Sequence, residues 1–294
     1  MRQSIPAASL EILVVDNSEI GQQGWVCAYF APGTEAMRSP VVRYVHEPCR
    51  GLASARNRGI REAKGGLVVF LDDDEKPVNT SWLETLTSVA VRTGADVTFG
   101  PVVPEFESLP SAHRSYVTEL FTRDHRLASG ATLSNKVYKL GTGNSCFLVQ
   151  TCFANGWSFD PRFNDAGGED VEFLGRLKER GARFVWAPDA PVLEFVPTSR
   201  LQPEYLAGRR FRQGQLRTYL HVTSAVRWDR LLFWMAVGAL QAGAHSLASA
   251  VLFLVGRLER AEEHRIRAWG GLGKVLWHPR FSRRSYAISA QGQE

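Results

Sequence analysis

An α/β fold, built on a sheet of largely parallel strands flanked by helices and followed by a helical appendage, is predicted by three observations. Short apolar strand patterns alternate with amphipathic helical ones through residues 11–100, the mark of βαβ units. One of these strands, Val68, Val69, Phe70 and Leu71, runs directly into Asp72, Asp73, Asp74 and Glu75. Residues 231–255 contain no Asp, Glu, Lys or Arg.

The first strand spans 11–15 and ends at Asp16 and Asn17; a second covers 41–45. Residues 51–64 place Leu52, Ala55, Gly59, Ile60 and Ala63 at the spacing of a helix packed on a sheet. The strand 67–71 leads into the acidic cluster, and a helix over 80–92 follows, with Asn79 or Thr80 as its N-cap. A strand over 95–100 completes the alternation. Pro101, Pro104 and Pro110 then predict loop or edge strand, and 111–140 is too polar to assign. Gly141, Thr142, Gly143 and Asn144 form a turn feeding the strand 146–149. Turns at Asp160-Pro161 and Asn164-Asp165, and the pair Gly167-Gly168, precede a helix that begins at Glu169 and Asp170 and is closed by Gly181. Strands over 183–186 and 191–195 and a basic helix around 209–215 end this part of the chain.

Adjacent carboxylates repel, and hard oxygen donors are what Mg²⁺ or Mn²⁺ takes, usually shared with substrate phosphates. At the carboxyl end of a strand, the cluster sits where open α/β sheets bind ligands. A solvated acidic turn is the alternative reading of the cluster alone. If strands 11–15 and 67–71 are parallel, Asp16 joins Asp72–Asp74 at one crevice. The helix 51–64 starts at the same edge, aiming its free N–H groups and Arg56 at a bound phosphate. For Glu169 and Asp170 two readings stay open: acids stabilised by the helix dipole, or a general base.

The chain has 294 residues and a net charge of +5, enough for a catalytic-sized domain and an appendage. Cys27, Cys49, Cys146 and Cys152 lack CxxC or Cys/His spacing, so neither a disulfide framework nor a zinc site is expected. The amino terminus has no signal-peptide pattern. Arginines crowd the last third without a nucleic-acid motif, so anionic lipid or phosphate is the expected partner and nucleic acid is not. The uncharged stretch 231–255 is flanked by Arg227 and Arg230 before and Arg257 and Arg260 after. Basic residues at both ends predict a re-entrant or interfacial helical hairpin rather than a single crossing.

In combination, Asp16-Asn17, the run Ala55-Arg56-Asn57-Arg58-Gly59, Asp72-Asp73-Asp74, Thr142-Gly143-Asn144 and Gly168-Glu169-Asp170 make the chain resemble the family 2 glycosyltransferases of the GT-A fold. Within them it resembles enzymes that build bacterial exopolysaccharides such as succinoglycan. The resemblance covers about residues 11–220. It implies a nucleotide-sugar donor, most often UDP-linked, contacted by Asp16, Arg56, Asp72 and Asp73. It implies a DxD motif in which Asp74, with Asp72, binds Mg²⁺ or Mn²⁺. It implies Asp170 as catalytic base of an inverting transfer, and Gly143, Asn144 and Glu169 on the acceptor side. The acceptor would be a lipid-linked sugar or glycan at the cytoplasmic face of the inner membrane. Residues 1–220 are then the transferase domain, and 221–294 a membrane-associated region.

One departure stands out. Only ten residues precede Glu11, too few for the family's first strand, loop and helix. The expectation is a longer reading frame or a truncated copy. Two rivals remain: a sugar-nucleotide-binding scaffold without turnover, and a haloacid-dehalogenase-type phosphatase, whose apolar-strand-then-Asp-x-Asp pattern is similar.

Overall fold

The computed structural model describes residues 3–6, 9–21, 40–110, 112–133, 140–164, 167–222 and 227–281; Cys27 and Asp165 lie outside them. In chain order the elements are β1 (Glu11–Asp16), β2 (Val41–His46), α1 (Leu52–Glu62), β3 (Leu67–Phe70), β4 (Glu75–Pro77), α2 (Trp82–Thr93), β5 (Val97–Phe99), β6 (Val102–Phe106), α3 (Arg114–Phe121), β7 (Ser145–Leu148) and α4 (Val149–Cys152). There follow α5 (Glu169–Glu179), β8 (Phe184–Trp186), β9 (Val192–Val196), α6 (Pro203–Tyr219), α7 (Trp228–Leu254) and α8 (Leu258–Val275).

Among the described residues the strands form three sheets, ordered β1–β2, β3–β7–β5–β8 and β4–β9–β6. β1 and β2 are parallel, as are β5 and β8. β7, however, runs antiparallel to both β3 and β5, and β4 is antiparallel to β9. The sheet that carries β3 is therefore mixed rather than largely parallel, and among the described residues β1 and β3 belong to separate sheets. The reason is general: Ser145, Cys146 and Phe147 are buried, and a continuous apolar run marks a buried strand without encoding its direction.

That reversal sets the geometry of the site. With Phe70 paired to Ser145 and Phe99 paired to the same residue, the outgoing ends of β3 and β5 meet the incoming end of β7. The turn at 141–144 is thereby laid beside the acidic cluster. Pro104 falls in β6, at an edge of its sheet, as a residue without an N–H requires.

Tertiary contacts divide the chain into two compact units. The first comprises the described residues up to Val103 together with Arg123–Glu194. Its core is aromatic: Phe99, Phe147, Phe159, Phe173, Phe184 and Trp186 are fully buried, with edge-to-face rings such as Phe70 on Phe147, centroids 5.5 Å apart. α2 closes the other side of the sheet with Trp82, Leu83, Leu86, Val89 and Ala90. Neither expected N-cap holds this helix; the side chain of Ser81 makes no cap bond, and Gln3 Oε1 instead accepts the N–H of Leu83 at 3.0 Å.

The second unit comprises Pro104–Thr122 and the described residues from Phe195 onward. Tyr116, Val117 and Phe121 of α3 pack there with Leu206 of α6 and Ile266 of α8. The uncharged stretch is not itself a hairpin: α7 is one unbroken helix. The reversal comes at Gly256, whose φ of 75° ends the helix, and α8 returns antiparallel, with Ser249 Oγ donating to Ala261 O and His245 facing His264. Gly243 and the two serines cost helix propensity without breaking the helix, because no proline interrupts it.

Glycines let these helices meet backbone to backbone. A Cβ on Gly271 would come 2.5 Å from Ala242 N and 2.6 Å from Gly238 O, on α7. Gly273 and Gly214 bring α8 equally close to α6, against Phe211 O and Gly270 O respectively.

Candidate active site

The site in the first unit is assembled from five chain segments. After β3, Asp72–Glu75 forms a tight turn in which Glu75 N–H donates to Asp72 O and Asp72 N–H to Glu75 Oε2, both at 3.0 Å. Asp73 at the tip is exposed, whereas Asp72 and Asp74 are half-buried. α1 supplies Arg56. Its start is fixed by Gly51, whose φ of 125° and closeness to the Asn164 side chain exclude any other residue. Asn17 Oδ1 accepts the Gly51 N–H at 2.7 Å, and Asn164 Oδ1 accepts that of Ser54 at 3.2 Å.

Arg56 lies between two acids. One guanidinium nitrogen pairs with Glu169 in the first turn of α5; the other reaches Asp72 Oδ1 at 3.4 Å. Arg56 is 8 % and Glu169 4 % exposed, so this is a buried pair in which each charge depends on the other. Burial works against the Arg56 cation, but Asp72, Glu169 and Asp170 outweigh it and hold the group above its ordinary value.

Asp170 follows Glu169 and is half-buried. Burial and the neighbouring Glu169 push its carboxyl up to about 7, against the opposing pull of Arg56. Glu75 is raised further, to about 8, by burial and by Asp72. The second cation is Arg123, which donates to Gly141 O at 3.0 Å and to Gly143 O. Burial lowers it, while Glu75, Asp72, Asp170 and Glu194 pull the other way.

The expected residues are thus distributed as follows. Arg56, Asp72, Glu169 and Asp170 come together, and the backbone of Gly143 lies against Asp72 and Glu75. Asp16 accepts hydrogen bonds from Tyr44 Oη at 2.7 Å and Ser18 N–H at 2.8 Å; Asn17 beside it ties β1 to the start of α1. Asn144 is in the core rather than on a pocket wall. At φ 49°, its Nδ2 donates to Pro101 O and Ala190 O at 2.7 and 2.9 Å, and its Oδ1 accepts from Trp82 Nε1 at 2.8 Å. Its side chain is fully buried and holds strand ends together, with both Nδ2 hydrogens donated to backbone carbonyls. Glu169, likewise buried, acts on Arg56.

Arg123 was not singled out by sequence, and Glu75 only as a member of the acidic cluster. Arg123 lies in the stretch with no periodicity, and Glu75 looked like the tail of an acidic run; only the antiparallel β7 brings the two together.

A cation fits this donor set. Asp72, Asp73, Asp74, Glu75, Glu169 and Asp170 outnumber Arg56 and Arg123, all the donors are hard oxygens, and two carboxyls are raised by burial first and by a neighbouring carboxylate second.

A family model described as "Glycosyl transferase family 2" matches residues 2–153. The chain is 32% identical over 212 residues to the succinoglycan biosynthesis protein ExoM of Rhizobium meliloti, an alignment spanning 71% of this chain and 62% of that protein. It is 25% identical over 251 residues to the glycosyltransferase AglE of Haloferax volcanii, with 84% of this chain and 76% of the relative covered. Among solved structures, the mannosyltransferase PcManGT of Pyrobaculum calidifontis, in complex with GDP-Man and Mn²⁺, superposes with a TM-score of 0.53 at 22% identity, covering 94% of this chain and 80% of that one.

Proposed function

Because the chain belongs to glycosyl transferase family 2 and carries the GT-A fold, we propose that it transfers a sugar from a nucleotide-sugar donor, UDP-linked by resemblance, to a lipid-linked or glycan acceptor in exopolysaccharide synthesis. Membership of the family displaces the phosphatase reading. The observation that carries the proposal is the meeting of Asp72, Arg56, Glu169 and Asp170 at the strand ends. Support for the donor class comes from the mannosyltransferase of the same fold, solved with GDP-Man and Mn²⁺. The chain spans 62% of the succinoglycan relative, so the polymer it serves is carried over from that protein's name.

In this reading Asp74, with Asp72, would hold Mg²⁺ or Mn²⁺. That ion supplies charge neutralisation for the departing diphosphate. Asp16 and Asp73 serve the donor, and Gly143 shapes the wall beside Asp72. Arg56 keeps Asp72 and Glu169 in register. Asp170 takes the proton from the acceptor hydroxyl as its oxygen bonds to the anomeric carbon and the bond to the diphosphate breaks, with inversion. Its raised pKa suits a base working near neutrality.

Residues 1–220 carry this chemistry and 221–294 the membrane contact. That functional division cuts through the second compact unit, where α6 packs directly on α8. The window of α7 that is apolar enough to cross a bilayer is only 11% buried, unlike a core helix. With its basic flanks, this supports seating at the cytoplasmic face of the inner membrane. Incubating the purified chain with Mn²⁺ and a panel of nucleotide sugars tests the proposal. Metal-dependent nucleotide release supports it. Binding without release would assign a scaffold, and neither binding nor release would refute it.

A further inference from the structure

His113 precedes α3 with a φ of 56° and is 93% buried, since only 7% of it is exposed. Its ring stands over one face of α8. There Glu259, Glu262 and Glu263 project at the i, i+3, i+4 spacing that puts side chains on one stripe. The Nε2 atom lies 3.1 Å from Glu262 Oε2; a carboxylate only accepts, so Nε2 is the donor there and Nδ1 is the ring atom left to meet a ligand. That Nδ1 is buried and has no hydrogen-bond partner. It faces Glu263 Oε1 at 3.6 Å and Glu259 Oε1 at 4.0 Å, and the ligand atoms of His113, Glu259 and Glu263 all lie within 4.8 Å of one another.

We propose that His113, Glu259 and Glu263 form a binding site for a divalent transition-metal ion of the Zn²⁺ type, separate from the nucleotide-sugar site. A buried aromatic nitrogen without a partner is costly in itself. Its distances to two carboxylate oxygens are too long for hydrogen bonds. They approach the roughly 3.4 Å between ligands placed tetrahedrally at about 2.0–2.1 Å from zinc. The surroundings complete the arrangement. Glu262 on Nε2 reproduces the carboxylate–histidine–metal relay that orients ligating imidazoles. Glu262 Oε1 accepts from Arg265 at 2.7 Å and Glu263 Oε2 from Arg267 at 3.1 Å, so each carboxylate is held by one oxygen and presents the other. Glu259 Oε1 also accepts the backbone N–H of His113 at 2.5 Å. Glu259 is 60% exposed, which gives an ion its way in and leaves a fourth position to water. Bound there, the ion would clamp the start of α3 to the first turn of α8, both in the second unit. Sequence spacing hides the site, because the histidine is 146 residues away from the first glutamate.

The test is Zn²⁺ titration of the full chain against a chromophoric chelator, in an Asp72→Asn/Asp74→Asn background so that the acidic turn does not contribute. One equivalent of Zn²⁺ is expected. His113→Gln and Glu263→Gln should each weaken binding at least tenfold with unchanged far-UV dichroism. Exposed Glu259→Gln serves in place of any variant that fails to fold. Co²⁺ in place of Zn²⁺ should give the intense visible absorption of a four-coordinate site. A folded chain that binds no Zn²⁺, variants that bind as tightly as the parent, or a weak six-coordinate Co²⁺ spectrum would overturn the proposal.

Discussion

Gly143 and Glu75 meet at a distance no side chain survives: a Cβ on Gly143 would stand 2.5 Å from Glu75 Oε1 and 2.7 Å from Asp72 Oδ2. The glycine of the 141–144 turn is a spacer that lets the acidic turn close against β7. Gly143→Ala should force Asp72 and Glu75 outward, costing about 1–3 kcal/mol as overpacking does. Activity should fall further than stability, because the carboxylate that moves is one that faces Arg56. Thermal denaturation and donor turnover measured on the same preparation check this; an unchanged turnover would mean that Asp72 is not needed where it stands.

Asp170 is held near 7 by burial and by Glu169. A base must be ionised to accept a proton, so kcat/KM should fall about tenfold per pH unit below 7 and level off above it. Asp170→Asn should remove that limb, lower transfer by about 10²–10⁴-fold and leave nucleotide binding intact. The stability effect has the opposite sense. In the folded chain Asp170 and Glu75 bind protons more tightly than when unfolded, so both favour the fold most at acid pH and lose that contribution as pH rises from about 4 to 8. A pH series of urea melts reads this directly.

Removing the carboxylate of Asp74 takes one hard donor from the proposed cation site. Asp74→Asn should abolish the Mn²⁺-dependent part of UDP binding in calorimetry while retaining the weak metal-independent part. Equal Mn²⁺ enhancement in variant and parent would assign the ion to other carboxylates.

The Arg56–Glu169 pair is buried at both ends. Arg56→Met leaves Glu169 charged without a partner and should cost about 3–5 kcal/mol. Adding Glu169→Gln should recover much of that loss in urea unfolding. If the double variant is no more stable than the single one, the guanidinium's bond to Asp72 matters more than the pair.

On the outer face of α7, Leu240 and Leu247 are 75% and 68% exposed. If this face enters lipid, the parent chain should sediment with anionic vesicles in high salt, and Leu240→Asp/Leu247→Asp should stay in the supernatant. Donor hydrolysis should be unaffected. A parent that remains soluble would refute membrane seating.

Much of the frame is legible in the sequence because it is local. β1, β2, α1, β3, α2 and α5 fall within a residue or two of where periodicity and glycines place them. What was hidden is long-range. The direction of β7 leaves no trace in its apolar pattern. The role of Asn144 is decided by Pro101, Ala190 and Trp82, which sequence spacing does not bring to it. Arg123 follows α3, a helix in the stretch too polar to assign, whose inward residues Tyr116, Val117 and Phe121 are few and separated. The hairpin was misplaced for a related reason: charge-free composition delimits α7, but the returning helix α8 is polar on one side and carries no such label.

The glycines of α8 have a mechanical meaning. Where Gly271 touches α7 and Gly273 touches α6, there is no layer of side chains to shear or repack. The three helices therefore tilt together or not at all. α6 carries Arg209 and Arg210, which lie over the Phe121 and Tyr116 rings of α3, so whatever surface orients α7 also acts on α3 through that stacked pair.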